Sequence, residues 1–380
     1  MIKVLHLIKT LNLGGAELNL FNLVQATDQE RFEIHVGYSF GGELEDKFKG
    51  IGVKLFKFAE GVHKIKSFAS FAIILKLIAY ILKNKINIVH THSFNPHTWG
   101  SIAAKITGAK IIEHVHDSRY LEPSDYAKSR EFNKQFRYIK YYKKVSDVVI
   151  VLTKQNYEFI LKNRLYDRAQ VRIIQNGIAI PEETKEKEEI RMTLMRDLNI
   201  DENNLVILTA TRISPEKNVE LIFRIAPRVK KEYQNIVFII SGDGPLFKEL
   251  KEKYRTLDDT VKMIGYHPRI DRLLNITDIF LLPSFLELHS IAILEALSMK
   301  VPVVVSNVGS NNEFIENWNN GVILDPATSD VWAEAIVKLL KDTQLRQSIG
   351  QKGYELCKER FDIRKVARKI EDIYVEFAGR

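Results

Sequence analysis

DIFLLPSFLELHSIAILEALSMKVPVVVSN, residues 278–307, holds two continuous apolar runs on either side of a short helical interval. IFLLPS and PVVVSN have the unbroken apolar character of strands buried on both faces, which is the mark of a parallel sheet. The interval between them carries two glutamates with seven residues between them, Glu287 and Glu295. Glu287 falls in the loop that follows the first strand, and Glu295 falls on the body of the helix. Strand, loop, helix and parallel strand make one crossover unit, with its polar groups at the carboxyl end of the strand.

The same alternation runs through the chain. Upstream strand candidates are IKVLHLI, FEIHVGY, VKLFKF, INIVHTH, KIIEHVH, DVVIVLT and VRIIQNG, then NLVILTAT, NIVFIISG and VKMIGY; GVILD follows downstream. Helical stretches of roughly ten to twenty residues separate most of them, which predicts an α/β protein with parallel sheets covered on both faces. The pattern breaks at IPEETKEKEEIRM, residues 180–192, where a proline and dense charge suit an exposed linker. The predicted organisation is therefore two doubly wound domains, 1–180 and 181–361. The amphipathic run FDIRKVARKIEDIYVEFAG lies beyond the last strand and gives a closing helix over 362–380.

Composition narrows the class. A chain of 380 residues, 45% hydrophobic and 27% charged, suits two globular cores. The single cysteine, Cys357, excludes an internal disulfide and any cysteine-rich metal site. The opening MIKVLHLIKTLNLGGAE reads as a strand entering a glycine loop, without the cleavage site of a signal peptide. The longest apolar run, FAIILKLIAYIL at 71–82, is interrupted by Lys76 and too short to span a bilayer. A cytoplasmic protein is the expectation. Residues 1–180 carry 27 Lys and Arg against 16 Asp and Glu, a balance of +11, while the remainder carries 29 against 32. Such asymmetry points the first half toward an anionic partner, either nucleic acid or a membrane surface.

In open parallel sheets, ligands bind beyond the carboxyl ends of the strands, near helix N-termini. After the first strand, Gly14 and Gly15 offer close backbone approach to a phosphate or sugar, although a lone Gly-Gly is equally a plain strand-to-helix turn. It is not a dinucleotide fingerprint. After LVILTAT, the loop RISPEKN places Arg212 and Lys217 five residues apart, a possible diphosphate clamp or a solvated charge pair. SGDGP supplies a second glycine turn with Gly242 and Gly244. Ser290 can cap the helix after Glu287, leaving its first amides facing an anion. Paired carboxylates also serve glycoside hydrolysis, and any isolated pair reads equally as two surface glutamates. Their neighbourhood of phosphate-binding features favours sugar-nucleotide recognition.

Taken together, GGAE at 14–17, TRISPEKN at 211–218, SGDGP at 241–245, the stretch from Glu287 to Glu295 and PVVVSNVGSNNEFI resemble retaining glycosyltransferases of the GT-B fold. The family is the large one with a glutamate-seven-glutamate motif, which includes sucrose, phosphatidylinositol mannosyl and lipopolysaccharide-core transferases, and the likeness spans essentially the whole chain. It implies two Rossmann-like domains facing across a cleft, with the closing helix returning to the N-terminal domain. It further implies transfer of a hexose-type sugar from a nucleoside diphosphate, UDP- in preference to GDP-linked, to a glycan or lipid-linked acceptor. By the resemblance Glu287 faces the donor sugar, Glu295 the ribose, and the amides at Ser290 and Ile291 the distal phosphate. Arg212 and Lys217 would neutralise the leaving diphosphate. Tyr266 and His289 complete the donor-binding set with Gly14, Gly15, Gly242 and Gly244. No Asp-x-Asp occurs, so neither a metal nor another cofactor is expected. The family's glycine after the first glutamate is Leu288 here, which bears on the donor's identity. A non-catalytic sugar-nucleotide module and an epimerase on the same fold are the alternatives.

In KIIEHVHD, His116 is preferred to His114 as the family histidine that hydrogen-bonds the donor sugar. His90, His92 and His97 partly match metal-ligand spacing, yet no acidic or cysteine partner accompanies them, so no metal site is assigned. His92 and Asn95 are read as acceptor-side residues. Residues 119–144, RYLEPSDYAKSREFNKQFRYIKYYKK, mix basic and aromatic side chains. Stacking on nucleic acid, an ordinary basic helix face and interfacial anchoring on anionic lipid are the readings available. For a transferase with lipid-linked acceptors, membrane docking of the N-terminal domain is preferred, at the inner face of the cell membrane, and no nucleic-acid partner is expected.

Overall fold

The structure is a computed structural model that describes residues 1–60, 68–116, 145–182 and 187–378. The basic aromatic stretch 119–144 lies outside the described residues. The chain divides into two compact units, Met1–Gly177 with Ile363–Arg380, and Ile178–Asp362. The division thus precedes Pro181 by a few residues.

Each strand candidate read from the sequence carries a strand. In the N-terminal unit these are β1 (Ile2–Thr10), β2 (Phe32–Phe40), β3 (Lys54–Lys57), β4 (Ile88–Thr91), β5 (Lys110–His114), β6 (Val148–Val151) and β7 (Val171–Ile173). They form one parallel sheet in the order β3-β2-β1-β4-β5-β6-β7. The C-terminal unit holds β8 (Leu205–Ala210), β9 (Ile236–Ser241), β10 (Val261–Gly265), β11 (Ile279–Leu282), β12 (Val303–Ser306) and β13 (Val322–Leu324). Their order, β10-β9-β8-β11-β12-β13, repeats the first plan and is also parallel. Right-handed crossovers then send the helices to opposite faces on the two sides of β1/β4 and of β8/β11, so a crevice opens at the carboxyl ends of those strand pairs.

Alternation along the strands assigns the two faces of the N-terminal sheet. Val4, Ile8, Ile88 and Ile112 pack with Val366, Ala367, Ile370, Ile373 and Tyr374 of the closing helix. Leu5, Leu7, Val89 and Ile111 point the other way, against Ile73, Leu77 and Trp99. The closing helix, Ile363–Ala378, therefore belongs to the N-terminal unit although it follows the last strand of the other. Its buried positions recur at three- and four-residue spacing, and it packs on the helix Gly15–Ala26 and on β1 and β4. In the C-terminal unit Ile207, Phe238, Ile240, Ile279 and Leu281 share a core with Trp332 and Ile336. Cys357 is fully buried there, and burial with Asp362 nearby pushes its thiol up to about 12, so it acts as a core side chain. Among the described residues no helix is long and apolar enough to cross a membrane.

Ile370→Ala leaves a cavity under the closing helix and is expected to destabilise the N-terminal unit by about 2–5 kcal/mol. The measurement is amide exchange, which should accelerate in β1 and β4 while β8 and β11 keep their protection. Unchanged exchange in β1 would show that the helix does not secure that sheet.

Candidate functional site

In the C-terminal unit, three loops at the carboxyl ends of β8, β11 and β12 interlock around Glu287. The loop after β8 makes one 3-10 turn, Pro215–Lys217, which ends at Asn218 in the left-handed region with φ 51°. The Asn218 amide donates to the carbonyl of Pro283 at 3.1 Å. In return the backbone N–H of Phe285 donates to the carbonyl of Glu216 at 2.8 Å. This pairing brings Lys217 Nζ to 2.7 Å from Glu287 Oε1, and the Ser284 hydroxyl donates to the same oxygen at 2.8 Å. Glu287 is only 7% exposed, so its charge is held by a cation and a hydroxyl in place of bulk water. The third loop closes on the first two through Gly309 at φ +58°, where any side chain would collide with the Glu287 carbonyl. Ser310 N–H donates to the Leu288 carbonyl at 2.9 Å.

Arg212 is exposed beside this cluster and makes no ion pair among the described residues. Gly242 and Gly244 have a packing role. A side chain on either would strike the Thr211 or Ile213 backbone, so these glycines seat their turn against the basic loop. Ile213 N–H donates to the Asp243 carbonyl at 2.9 Å, which fastens the two together. Tyr266 stands exposed at the end of β10. Ser290 occupies the N-cap position of the helix Ile291–Ser298, but its hydroxyl forms no cap, which corrects the expectation. First-turn amides have no intrahelical acceptor, so those of Ile291 and its successors stay available to an anion. His289 follows Leu288 in the same loop. Its ring is buried against Phe314 and Phe361, with centroids 5.2 Å and 5.1 Å away, and burial lowers its pKa to about 3. The ring is part of the unit's interior.

Glu295 stands apart from Glu287. It borders a cavity of about 530 Å³ with Ile270, Asp271, Leu274, Ser298 and Tyr354. Burial, with the like charge of Asp271 second, pushes the Glu295 carboxyl up to about 8. The helix thus carries a neutral acid at neutral pH, while Glu287 at its head is paired with a lysine. Ser284 and Asp271 escaped the sequence reading. Ser284 had a signal in its position at a strand end, three residues before Glu287, whereas Asp271 had none.

In the N-terminal unit, Gly14 and Gly15 are exposed at the start of the helix Gly15–Ala26, and nothing occupies the space a side chain at Gly15 would fill. Asn95 is half-buried in the first turn of Phe94–Thr107. The histidines form a stack that the sequence reading did not foresee. Because His6 pairs with His90 in register and alternate residues share a face, His6, His90, His92, His114 and His116 all lie on the side that carries the closing helix. Rings of His90 and His92 are 4.4 Å apart, and those of His114 and His116 are 4.1 Å apart. His6 Nδ1 is 2.9 Å from His92 Nε2, and His92 Nδ1 is 3.1 Å from His116 Nε2. Tyr374 of the closing helix bonds His90 Nδ1 at 2.7 Å and His6 Nε2 at 3.4 Å. Burial, reinforced by neighbouring imidazoles, holds His90, His92 and His114 well below the ordinary histidine range, so these rings are neutral. His116 is the half-buried member at the edge of the stack, while His114 lies wholly inside it. His97 does not join them. It sits on the opposite face, 2.9 Å from Thr91 Oγ1 and 3.5 Å from Glu113.

Both units have counterparts among known proteins. Residues 13–180 match the model described as Glycosyltransferase Family 4, and residues 191–356 match Glycosyl transferases group 1. The UDP-Gal:alpha-D-GlcNAc-diphosphoundecaprenol alpha-1,3-galactosyltransferase of Escherichia coli is 27% identical over 99% of this chain and 97% of its own length. A Campylobacter jejuni alpha-1,4-N-acetyl-D-galactosaminyltransferase acting on a diNAcBac-PP-undecaprenol glycan is 26% identical over 94% of each. Among solved structures, Anabaena HepE in complex with UDP-glucose superposes with a TM-score of 0.84 at 20% identity, covering 99% of this chain and 100% of that one. Two matching family models in tandem, full-length curated relatives and two sheets of the same plan lead to one conclusion: the chain belongs to the glycosyltransferases of the GT-B fold, with a family 4 N-terminal unit and a group 1 C-terminal unit.

Proposed function

We propose that the enzyme transfers a hexose-type sugar from a nucleoside diphosphate sugar, UDP- in preference to GDP-linked, onto a glycan or lipid-linked acceptor, with retention at the anomeric carbon and without a metal. The observation that carries the reading is the Lys217–Glu287 pair, held at 2.7 Å by interlocked loops beside Arg212 and an uncapped helix start. Two cations and free helical amides supply the charge that a departing diphosphate needs. Glu287 then bonds sugar hydroxyls and favours positive charge at the anomeric centre, Glu295 takes the ribose, and His116 bonds the sugar from the N-terminal unit. Relatives named for UDP-Gal and for undecaprenol-linked acceptors support the donor and acceptor classes. Docking on anionic membrane follows from the acceptor class. On the helix Phe68–Asn84, Phe71, Leu75 and Leu82 are 60%, 48% and 59% exposed, an outward apolar stripe flanked by the exposed Lys76 and Lys83.

Arg212→Ala and Lys217→Ala are each expected to weaken nucleoside diphosphate binding by about 1.5–3 kcal/mol, the range for hydrogen bonds to charged groups. Calorimetry reads this directly, and unchanged affinity in both variants would overturn the assignment. EDTA should leave turnover intact, whereas loss restored by manganese would contradict the metal-free mechanism.

The glutamates should fail differently. Glu287→Gln is expected to lower turnover by about 100-fold or more, as for other groups that stabilise developing charge. It should keep or tighten affinity for the free nucleoside diphosphate, because Lys217 is released from its carboxylate. Glu295 ionises only as pH rises through about 8, and the carboxylate is the better acceptor for two ribose hydroxyls. Nucleotide affinity of the wild type should therefore rise between about pH 7 and pH 9, relative to a flat Glu295→Gln variant. Parallel profiles for the two proteins would remove Glu295 from the ribose site.

Co-sedimentation with liposomes should increase with anionic lipid, fall with salt, and weaken in a Leu75→Asp, Leu82→Asp double variant. Equal binding to neutral vesicles, or an unaffected double variant, would count against docking through this helix.

A further inference from the structure

We propose that His92, His114 and His116 form a binding site for a borderline-soft divalent cation, with Zn2+ as its representative. Each of the three offers a ring nitrogen, and those nitrogens lie within 4.8 Å of one another at the carboxyl ends of β4 and β5. Three imidazoles with an open fourth position are a recurrent zinc donor set. The 3.1 Å between His92 Nδ1 and His116 Nε2 is already close to the edge, about 3.3 Å, of a tetrahedron with Zn–N bonds of about 2.0–2.1 Å. An ion can replace that hydrogen bond with little movement of either ring.

A second observation points to a missing ligand. Both ring nitrogens of His114 are buried and have no hydrogen-bond partner among the described residues. A buried imidazole without partners is costly, and an unaccounted ion is one of the standard explanations for such a group. Half-buried His116 leaves the triad accessible from solvent, which the fully buried group of His6, His90 and His92 is not.

The surrounding hydrogen bonds also suit a metal. Ligating histidines ordinarily donate their second N–H to an acceptor that fixes the tautomer. With Nδ1 on the ion, His92 Nε2–H donates to His6 Nδ1, His6 Nε2–H donates to the Tyr374 oxygen, and the Tyr374 hydroxyl donates to His90 Nδ1. Each of these three bonds then has one donor and one acceptor. The ion would also occupy His116, so it would act as an inhibitor of transfer. That consequence rests on the proposed role of His116; binding itself does not.

The test is equilibrium dialysis and calorimetry of the full chain with Zn2+, and visible absorption with Co2+. The wild type should bind a single ion, with Co2+ bands of tetrahedral intensity. His114→Phe keeps the ring's volume and removes its orphaned nitrogens, so it should fold at least as stably as the wild type. Its Zn2+ affinity should fall by more than the 10–100-fold typical of losing an outer-shell partner, and Tyr374→Phe, one bond further out through His6, should fall by less than that range. His97→Gln should bind like the wild type. No binding by the wild type, or equal binding by His114→Phe, would overturn the site and leave water as the occupant. Binding without inhibition would uphold the site and count against the role given to His116.

Discussion

The ion pair between Lys217 and Glu287 is the contact on which the C-terminal site depends. Neither group is freely solvated, and each makes the other's charge tolerable where it stands. Reaching 2.7 Å requires the loops after β8 and β11 to exchange backbone and side-chain hydrogen bonds. It also requires a residue without a side chain at position 309, since the loop after β12 passes directly over the Glu287 carbonyl. Gly242 and Gly244 do the same for the basic loop from its other side. Residues that look like separate motifs along the chain are therefore parts of one packing arrangement. Lys217 is held in place by this arrangement, while Arg212 on the same loop stays exposed.

Two glutamates of one helical segment end in different surroundings. Glu287 has a cation and a hydroxyl on the same oxygen. Glu295 faces a cavity with Asp271 nearby and holds its proton up to about pH 8. Environment alone separates two chemically identical side chains of one segment.

The two units share one strand plan but place opposite chemistry at the equivalent crevice. Charged side chains, Arg212, Lys217 and Glu287, lie beyond β8 and β11. Beyond β1, β4 and β5 lie imidazoles that burial keeps neutral, stacked against one another and against Tyr374. Neutral rings can donate and accept hydrogen bonds without repelling a cation, which suits both sugar hydroxyls and a metal ion.

Local pattern determined a great deal. Continuous apolar runs of strand length, most of them followed by a helical stretch, were enough for parallel sheets, because period and length are properties of a few adjacent residues. The loops bearing Arg212, Lys217 and Glu287 were legible for the same reason: polar groups just beyond buried strands must sit at the sheet's carboxyl edge. What neighbours those residues acquire was decided elsewhere. His6, His90 and His114 are separated by tens of residues and meet only because β4 pairs with β1 and β5 in a given register. Tyr374 reaches them because a helix following the second unit packs on the first. The ring of His289 turns inward to Phe314 and Phe361, a direction that only three-dimensional packing decides. Sequence spacing carries the period of each element, whereas strand order, register and the direction a loop side chain takes are set by contacts between residues far apart in the chain.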